Sequence, residues 1–229
     1  DDVIAELSAI FPCPYFHIGG DEAPMDKWLE HSPTLKLKQS LHTTNNQQLM
    51  SEFFKRVNQS LEKNHKRPLI WLELEVPSYP KNSVMYLWRM RTTPQVLERA
   101  KKDNFKLICS PGEYAYFDYP QAKNDLPNVD WMPTLTLQRV YEFNPAFSLT
   151  AEEEKQYILG VEATLWGESV KDVFRAFYMT YPRALALSEA GWTEMPKRDW
   201  QQFTQKLDLQ LQYLLHKGIN YRPPVELHQ

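Results

Sequence analysis

The sequence predicts an α/β fold, a TIM-type (β/α)8 barrel present as about its last five β/α units. Short apolar runs alternate with amphipathic helical stretches, the pattern of parallel β/α units. The residues with chemical potential sit directly after those runs, where a barrel keeps its active site. No glycine-rich phosphate loop follows any run, which argues against a dinucleotide-binding sheet.

Taken in order, residues 1–10 read as a helix. Tyr15-Phe16-His17-Ile18 reads as a buried strand ending at Gly19-Gly20, and a long loop holding Trp28 and His31 follows. Asn45 or Asn46 can cap a helix in which Leu49, Met50, Phe53, Phe54, Val57 and Leu61 keep helical spacing. Pro68 bars its extension. Leu69-Ile70-Trp71-Leu72 is the second strand and Val84-Met85-Tyr86-Leu87 the third. Thr93 caps the next helix and Pro94 opens it, where no donor is needed. Lys106 to Cys109 is the fourth strand and Ile158 to Glu162 the fifth, with Ser169 capping the helix after it. The last helix runs from Arg198 to His216, with Trp200, Phe203, Leu207, Leu211 and Leu214 on one face and Gly218 as its stop. Closure needs eight strands and typically about 250 residues. Residues 1–229 are therefore expected to form a partial catalytic barrel whose first three strands, an N-terminal segment, are missing from this chain.

A net charge of −3 with no basic stripe argues against a nucleic-acid partner. No apolar run approaches the roughly 18 residues of a membrane span. The opening Asp1-Asp2-Val3-Ile4 is not a signal peptide. Cys13 and Cys109 give no disulfide framework and read as reduced core thiols. The seven tryptophans and twelve tyrosines suit either a large core or rings that stack on sugar faces.

Residues 17–22 read His-Ile-Gly-Gly-Asp-Glu. A strand here delivers two adjacent carboxylates to its mouth, and two glycines allow backbone or ligand to come close. Neighbouring side chains on a regular strand face opposite ways, so Asp21 and Glu22 serve one site only if the strand ends there. Two close carboxylates also tend to separate in pKa, which keeps one protonated as a general acid. Taken alone, an Asp-Glu pair reads first as a surface turn capping a helix.

The whole string resembles the signature of glycoside hydrolase family 20, the β-N-acetylhexosaminidases. The resemblance continues in order through Ile70-Trp71 with Glu73, Met85-Tyr86-Leu87-Trp88-Arg89, Tyr116-Phe117-Asp118-Tyr119 and Gly160-Val161-Glu162-Ala163-Thr164-Leu165-Trp166-Gly167-Glu168. One position departs: Leu72 stands where related enzymes often carry an acid after the tryptophan.

The resemblance implies a retaining exo-enzyme that releases terminal GlcNAc or GalNAc by substrate-assisted catalysis through an oxazolinium intermediate, with no cofactor and no metal. It implies Glu22 as general acid and base and Asp21 as the partner of the acetamido N–H. Tyr116 would donate to the acetamido oxygen, Trp71, Trp88 and Trp166 would wall the acetyl methyl, and Asp118 and Glu168 would hold the outer hydroxyls. Trp131 is a candidate aglycone platform, and His17 a packing residue behind the acids. The implied partners are N-acetylhexosamine-terminated glycans and the missing N-terminal barrel segment. A secreted or periplasmic location is expected from the family's habit.

Other readings stay open on the residues alone. The tryptophans could fill the core, and Asp118 and Glu168 could be solvated loop acids, as His31 and His42 are expected to be solvated. A sugar-binding barrel without catalysis, a conventional two-carboxylate glycosidase, or a metal-dependent hydrolase using His17, Asp21, Glu22 and His31 would each use part of the pattern.

Overall fold

The computed structural model describes residues 1–29, 31–127 and 129–225. It divides into two compact units, residues 1–87 with 92–107, and residues 88–91 with 108–229. The strands form one sheet in the order β1-β2-β3-β4-β5, each following its predecessor in sequence. That succession is the arrangement of consecutive β/α units in a partial (β/α)8 barrel.

The first unit holds α1 (Asp2–Ile10), β1 (Tyr15–His17), α2 (Ser32–Ser40), α3 (Asn46–Lys63), β2 (Arg67–Trp71), β3 (Val84–Leu87) and α4 (Thr93–Asp103). Strands β1 and β2 run parallel with His17 opposite Leu69, and β2 and β3 run parallel with Trp71 opposite Tyr86. All four β3 residues are buried. Helix α3 starts where Asn45 accepts a hydrogen bond from the Gln47 amide, and it buries Leu49, Met50, Phe54 and Leu61. The buried Lys66 ammonium donates to the carbonyls of Phe11 and Cys13, which pins the approach to β1.

Several expectations need correction here. The long loop after β1 contains α2, whose low apolar content hid its period. Helix α3 is not stopped by Pro68, which lies inside β2. His65 takes a left-handed φ of 56° while the Lys66 amide bonds back to the Leu61 carbonyl, so the stop is a local turn. Phe53 is 53% exposed, on the outer side of α3. Thr92 rather than Thr93 is the residue before α4. Cys13 is exposed, so only Cys109 is a core thiol.

Strand β4 (Lys106–Cys109) crosses the division between the units. The second unit continues with α5 (Gly112–Ala115), α6 (Leu137–Tyr141), α7 (Ala151–Tyr157), β5 (Ile158–Val161), α8 (Val173–Thr180), α9 (Arg183–Trp192) and α10 (Trp200–His216). The Glu162 amide donates to the Cys109 carbonyl, carrying the pairing of β5 with β4. The core gathers Cys109, Phe117, Leu137, Val140, Phe143 and Leu187 with Leu207, Leu211 and Leu214 of α10. Helix α10 starts at Trp200 rather than Arg198, with Asp199 as its cap, and Gly218 follows it at φ 73°. Ser169 is not a cap. It closes a 3-10 turn over Gly167–Ser169, and Asp172 caps α8 by accepting from the Arg175 amide. Serine and aspartate cap about equally well, and Asp172 is the one that stands directly before the helix start.

Candidate active site

The first unit presents the acid pair. Strand β1 ends at His17, but pairing runs two residues further: the Ile18 amide donates to the Leu69 carbonyl, and the Trp71 amide to the Gly19 carbonyl. Gly19 and Gly20 then take φ values of 70° and 111°. A Cβ on Gly20 would lie 2.7 Å from Phe54 Cζ and 3.1 Å from Ile70 Cγ2, so this position needs glycine twice over. Asp21 follows half-buried and Glu22 exposed. Glu22 has φ 48°, a left-handed backbone uncommon for its type, and its amide donates to Glu73 Oε1 at 3.3 Å. Glu73 is held in turn by Tyr79, whose hydroxyl accepts from the Glu73 amide at 3.0 Å and donates to its carbonyl at 2.9 Å. Burial raises the Tyr79 pKa, which keeps that hydroxyl a donor.

Behind the acids, His17 Nδ1 accepts from the Gly19 amide at 3.0 Å. The ring lies 5.0 Å from Trp71 and 4.9 Å from Tyr86, and those two lie 4.7 Å apart. Burial lowers the His17 pKa, against an opposing pull from Asp21. Trp71 is only 7% exposed. Leu72 is 3% exposed with its amide donating to the Tyr86 carbonyl, so the side chain that replaces an acid here faces the core. His31 is exposed and bonded to Thr34 Oγ1, and His42 is exposed.

The second unit presents the residues expected to grip a sugar. Arg89 lies 3.7 Å from the Trp88 ring, and the Met90 amide donates to the Glu113 carboxylate, fixing the turn that carries Trp88. Tyr116 bridges to Thr164 in parallel fashion, and the Phe117 amide donates to the Thr164 carbonyl at 2.7 Å. This pairing brings the loops after β4 and β5 together, with the Tyr116 ring 6.0 Å from Trp166 and 5.6 Å from Tyr119. Tyr119 meets Trp131 at 6.2 Å edge to face, and Trp131 is 70% exposed. Glu168 is exposed and lines a groove with Leu126, Pro127, Lys171 and Arg175.

Asp118 is not a solvated loop acid. It is 2% exposed, and burial pushes its carboxyl up to about 6, partly offset by bonds to the Asp118 and Trp166 backbone and by the charge of Arg183. Arg183 is the residue that sequence reasoning missed. It is wholly buried, and its guanidinium donates to the carbonyls of Phe117, Tyr119, Leu135 and Met179. Burial lowers its pKa to about 9. Two of those carbonyls flank Asp118. One signal was available: a lone arginine in the stretch from Phe177 to Leu187, which holds no other charge. Among the described residues no three His, Cys, Asp or Glu side chains gather to hold a metal ion, and no helix is long and apolar enough to cross a membrane.

Known proteins resemble this chain over most of its length. The model of the glycosyl hydrolase family 20 catalytic domain matches residues 1–195. A β-hexosaminidase of Akkermansia muciniphila is 37% identical over 219 residues, which is 96% of this chain and 44% of that protein. A solved β-N-acetylhexosaminidase superposes with a TM-score of 0.88 at 36% identity, covering 94% of this chain and 45% of that one. The family 20 exo-β-N-acetylglucosaminidase of Vibrio harveyi, solved with N-acetylglucosamine, gives 0.86 at 34% identity, covering 97% of this chain and 35% of that one. The chain thus spans less than half the length of these relatives.

Proposed function

The chain belongs to glycosyl hydrolase family 20, and we propose that the protein carrying it is a retaining exo-β-N-acetylhexosaminidase acting on glycans that end in GlcNAc or GalNAc. The observation that supports this best is the end of β1, where a glycine pair and a left-handed Glu22 put two consecutive carboxylates at one strand mouth. Glu22 is the general acid and base. It is exposed, so a glycosidic oxygen and then a water can reach it, and its backbone is restrained through Glu73.

The reaction needs no enzyme nucleophile. The acetamido oxygen attacks the anomeric carbon as the glycosidic bond breaks, and the leaving oxygen takes the Glu22 proton. Asp21 accepts the acetamido N–H and offsets the charge of the oxazolinium. Water then attacks the anomeric carbon as its bond to the acetamido oxygen breaks, reopening the acetamide, and gives a proton back to Glu22. Tyr116 donates to the acetamido oxygen, and Trp71, Trp88 and Trp166 line the methyl. Asp118 and Glu168 hold the outer hydroxyls, and Trp131 offers a face to the aglycone.

On the same reading, three further β/α units from outside residues 1–229 complete the barrel. Val3, Ile10 and Phe11 in the first unit and Val173, Phe174 and Trp192 in the second are between 56% and 92% exposed. Apolar surface of that kind usually has a partner.

Paired aryl glycosides test the mechanism on the full-length protein. Cleavage is expected only where the 2-acetamido group is present. A thiazoline analogue of the cyclised sugar should inhibit far better than free GlcNAc, because it mimics the intermediate. Turnover of the plain glucoside at a comparable rate would rule the assisted route out.

A further inference from the structure

We propose that His17 is a positioning residue for the acid pair: its Nδ1 holds the Gly19 amide and so sets the direction in which Asp21 and Glu22 leave β1. This rests on reading those two residues as the catalytic pair. The segment between strand and acids is two glycines in succession, both at positive φ. Glycines reach many such conformations at little cost, so something outside them must select one. Gly19 is gripped on both sides of its peptide, its amide by His17 and its carbonyl by the Trp71 amide at 3.1 Å. Phe54 and Ile70 close on Gly20 from the side.

The imidazole is itself fixed, wedged between Trp71 and Tyr86. Because Nδ1 accepts, the proton of the neutral ring sits on Nε2. Nε2 is buried with no hydrogen-bond partner among the described residues. A phenylalanine would fill the same space but offer the Gly19 amide no acceptor. A protonated ring would lose the acceptor, and burial favours the neutral form.

Two substitutions separate the nitrogens. In His17→Asn the side-chain oxygen can take the place of Nδ1, whereas in His17→Gln the amide reaches to the position of Nε2 and the acceptor near Gly19 is lost. In the full-length protein, His17→Gln should lose about 100-fold in kcat on an aryl N-acetylglucosaminide with little change in KM, as for a displaced catalytic group. His17→Asn should recover most of that loss. The Gly19 amide should exchange slowly with solvent in wild type and His17→Asn, and fast in His17→Gln. Equal losses in both variants, no loss in either, or the reverse order would overturn the proposal. The amide exchange reads the hinge without catalysis. A wild-type protein inert on the substrate, or a Glu22→Gln variant of normal rate, would therefore count against the glycosidase reading and leave the hinge to be judged by exchange.

Discussion

The end of β1 and the loops after β4 and β5 solve opposite problems. At β1 the key side chain is exposed, and the restraint acts on its backbone: a Gly20 with no room for a Cβ, an amide held by Glu73, an imidazole behind. After β4 the key carboxyl is 2% exposed, and the restraint is a buried guanidinium that gathers four carbonyls. On the proposed reading, the β1 group is a proton donor that substrate and water must reach, so it is held from beneath, and the group after β4 is a recognition group, whose bonds strengthen where water is excluded. The two regions should therefore fail differently when altered, the first in rate and the second in stability.

The sharpest separation is expected from Glu22→Gln, which should lower turnover by about 10²–10⁴-fold on substrates with poor leaving groups. An activated aryl glycoside should suffer less, and the melting temperature should stay near that of wild type. Equal losses on both substrates would remove Glu22 as the acid. Arg183→Met should do the reverse. It leaves buried carbonyls unsatisfied and should cost about 3–5 kcal/mol in chemical denaturation. An unfolding midpoint close to wild type would break the comparison, because the second region would then not depend on its guanidinium.

Gly20→Ala tests whether the first region has a stability role of its own. The clash with Phe54 and the positive φ should cost about 1–3 kcal/mol. The loss in kcat should be out of proportion to that destabilisation. Asp118 supplies an effect confined to one pH window. Its carboxyl binds a proton more tightly folded than unfolded, so stability should fall as pH rises from 3.8 to about 6 and level off above. Asp118→Asn should flatten that slope in a pH series of thermal melts, and an unchanged slope would show that another group carries it.

The two regions were also unequally legible in the sequence. The β1 end could be read residue by residue, because its strand, glycines and acids lie within eight consecutive positions, 15–22. The strands and the helices α3 and α10 could be read because their apolar spacing and caps are local. Arg183 could not be placed, because its partners lie from four to 66 residues away and only folding brings them together. Ser169 misled because one cap residue resembles another until the helix start is known. Phe53 misled because the apolar face of α3 is narrower than its apolar composition. The burial of Asp118 is likewise a product of tertiary packing around a residue that its neighbours mark as part of a loop.

The two thiols give the molecule a built-in clock. Cys13 is exposed and open to a maleimide in the folded protein. Cys109 has no exposed surface, and burial pushes its thiol up to about 12, with Glu154 adding to the effect. Alkylation of Cys109 therefore requires β4 to open, since only the thiolate reacts and only in water. Timed alkylation followed by peptide mass spectrometry would record, in one sample, Cys13 as the reference for reagent reactivity and Cys109 as the frequency with which the strand crossing both units comes apart.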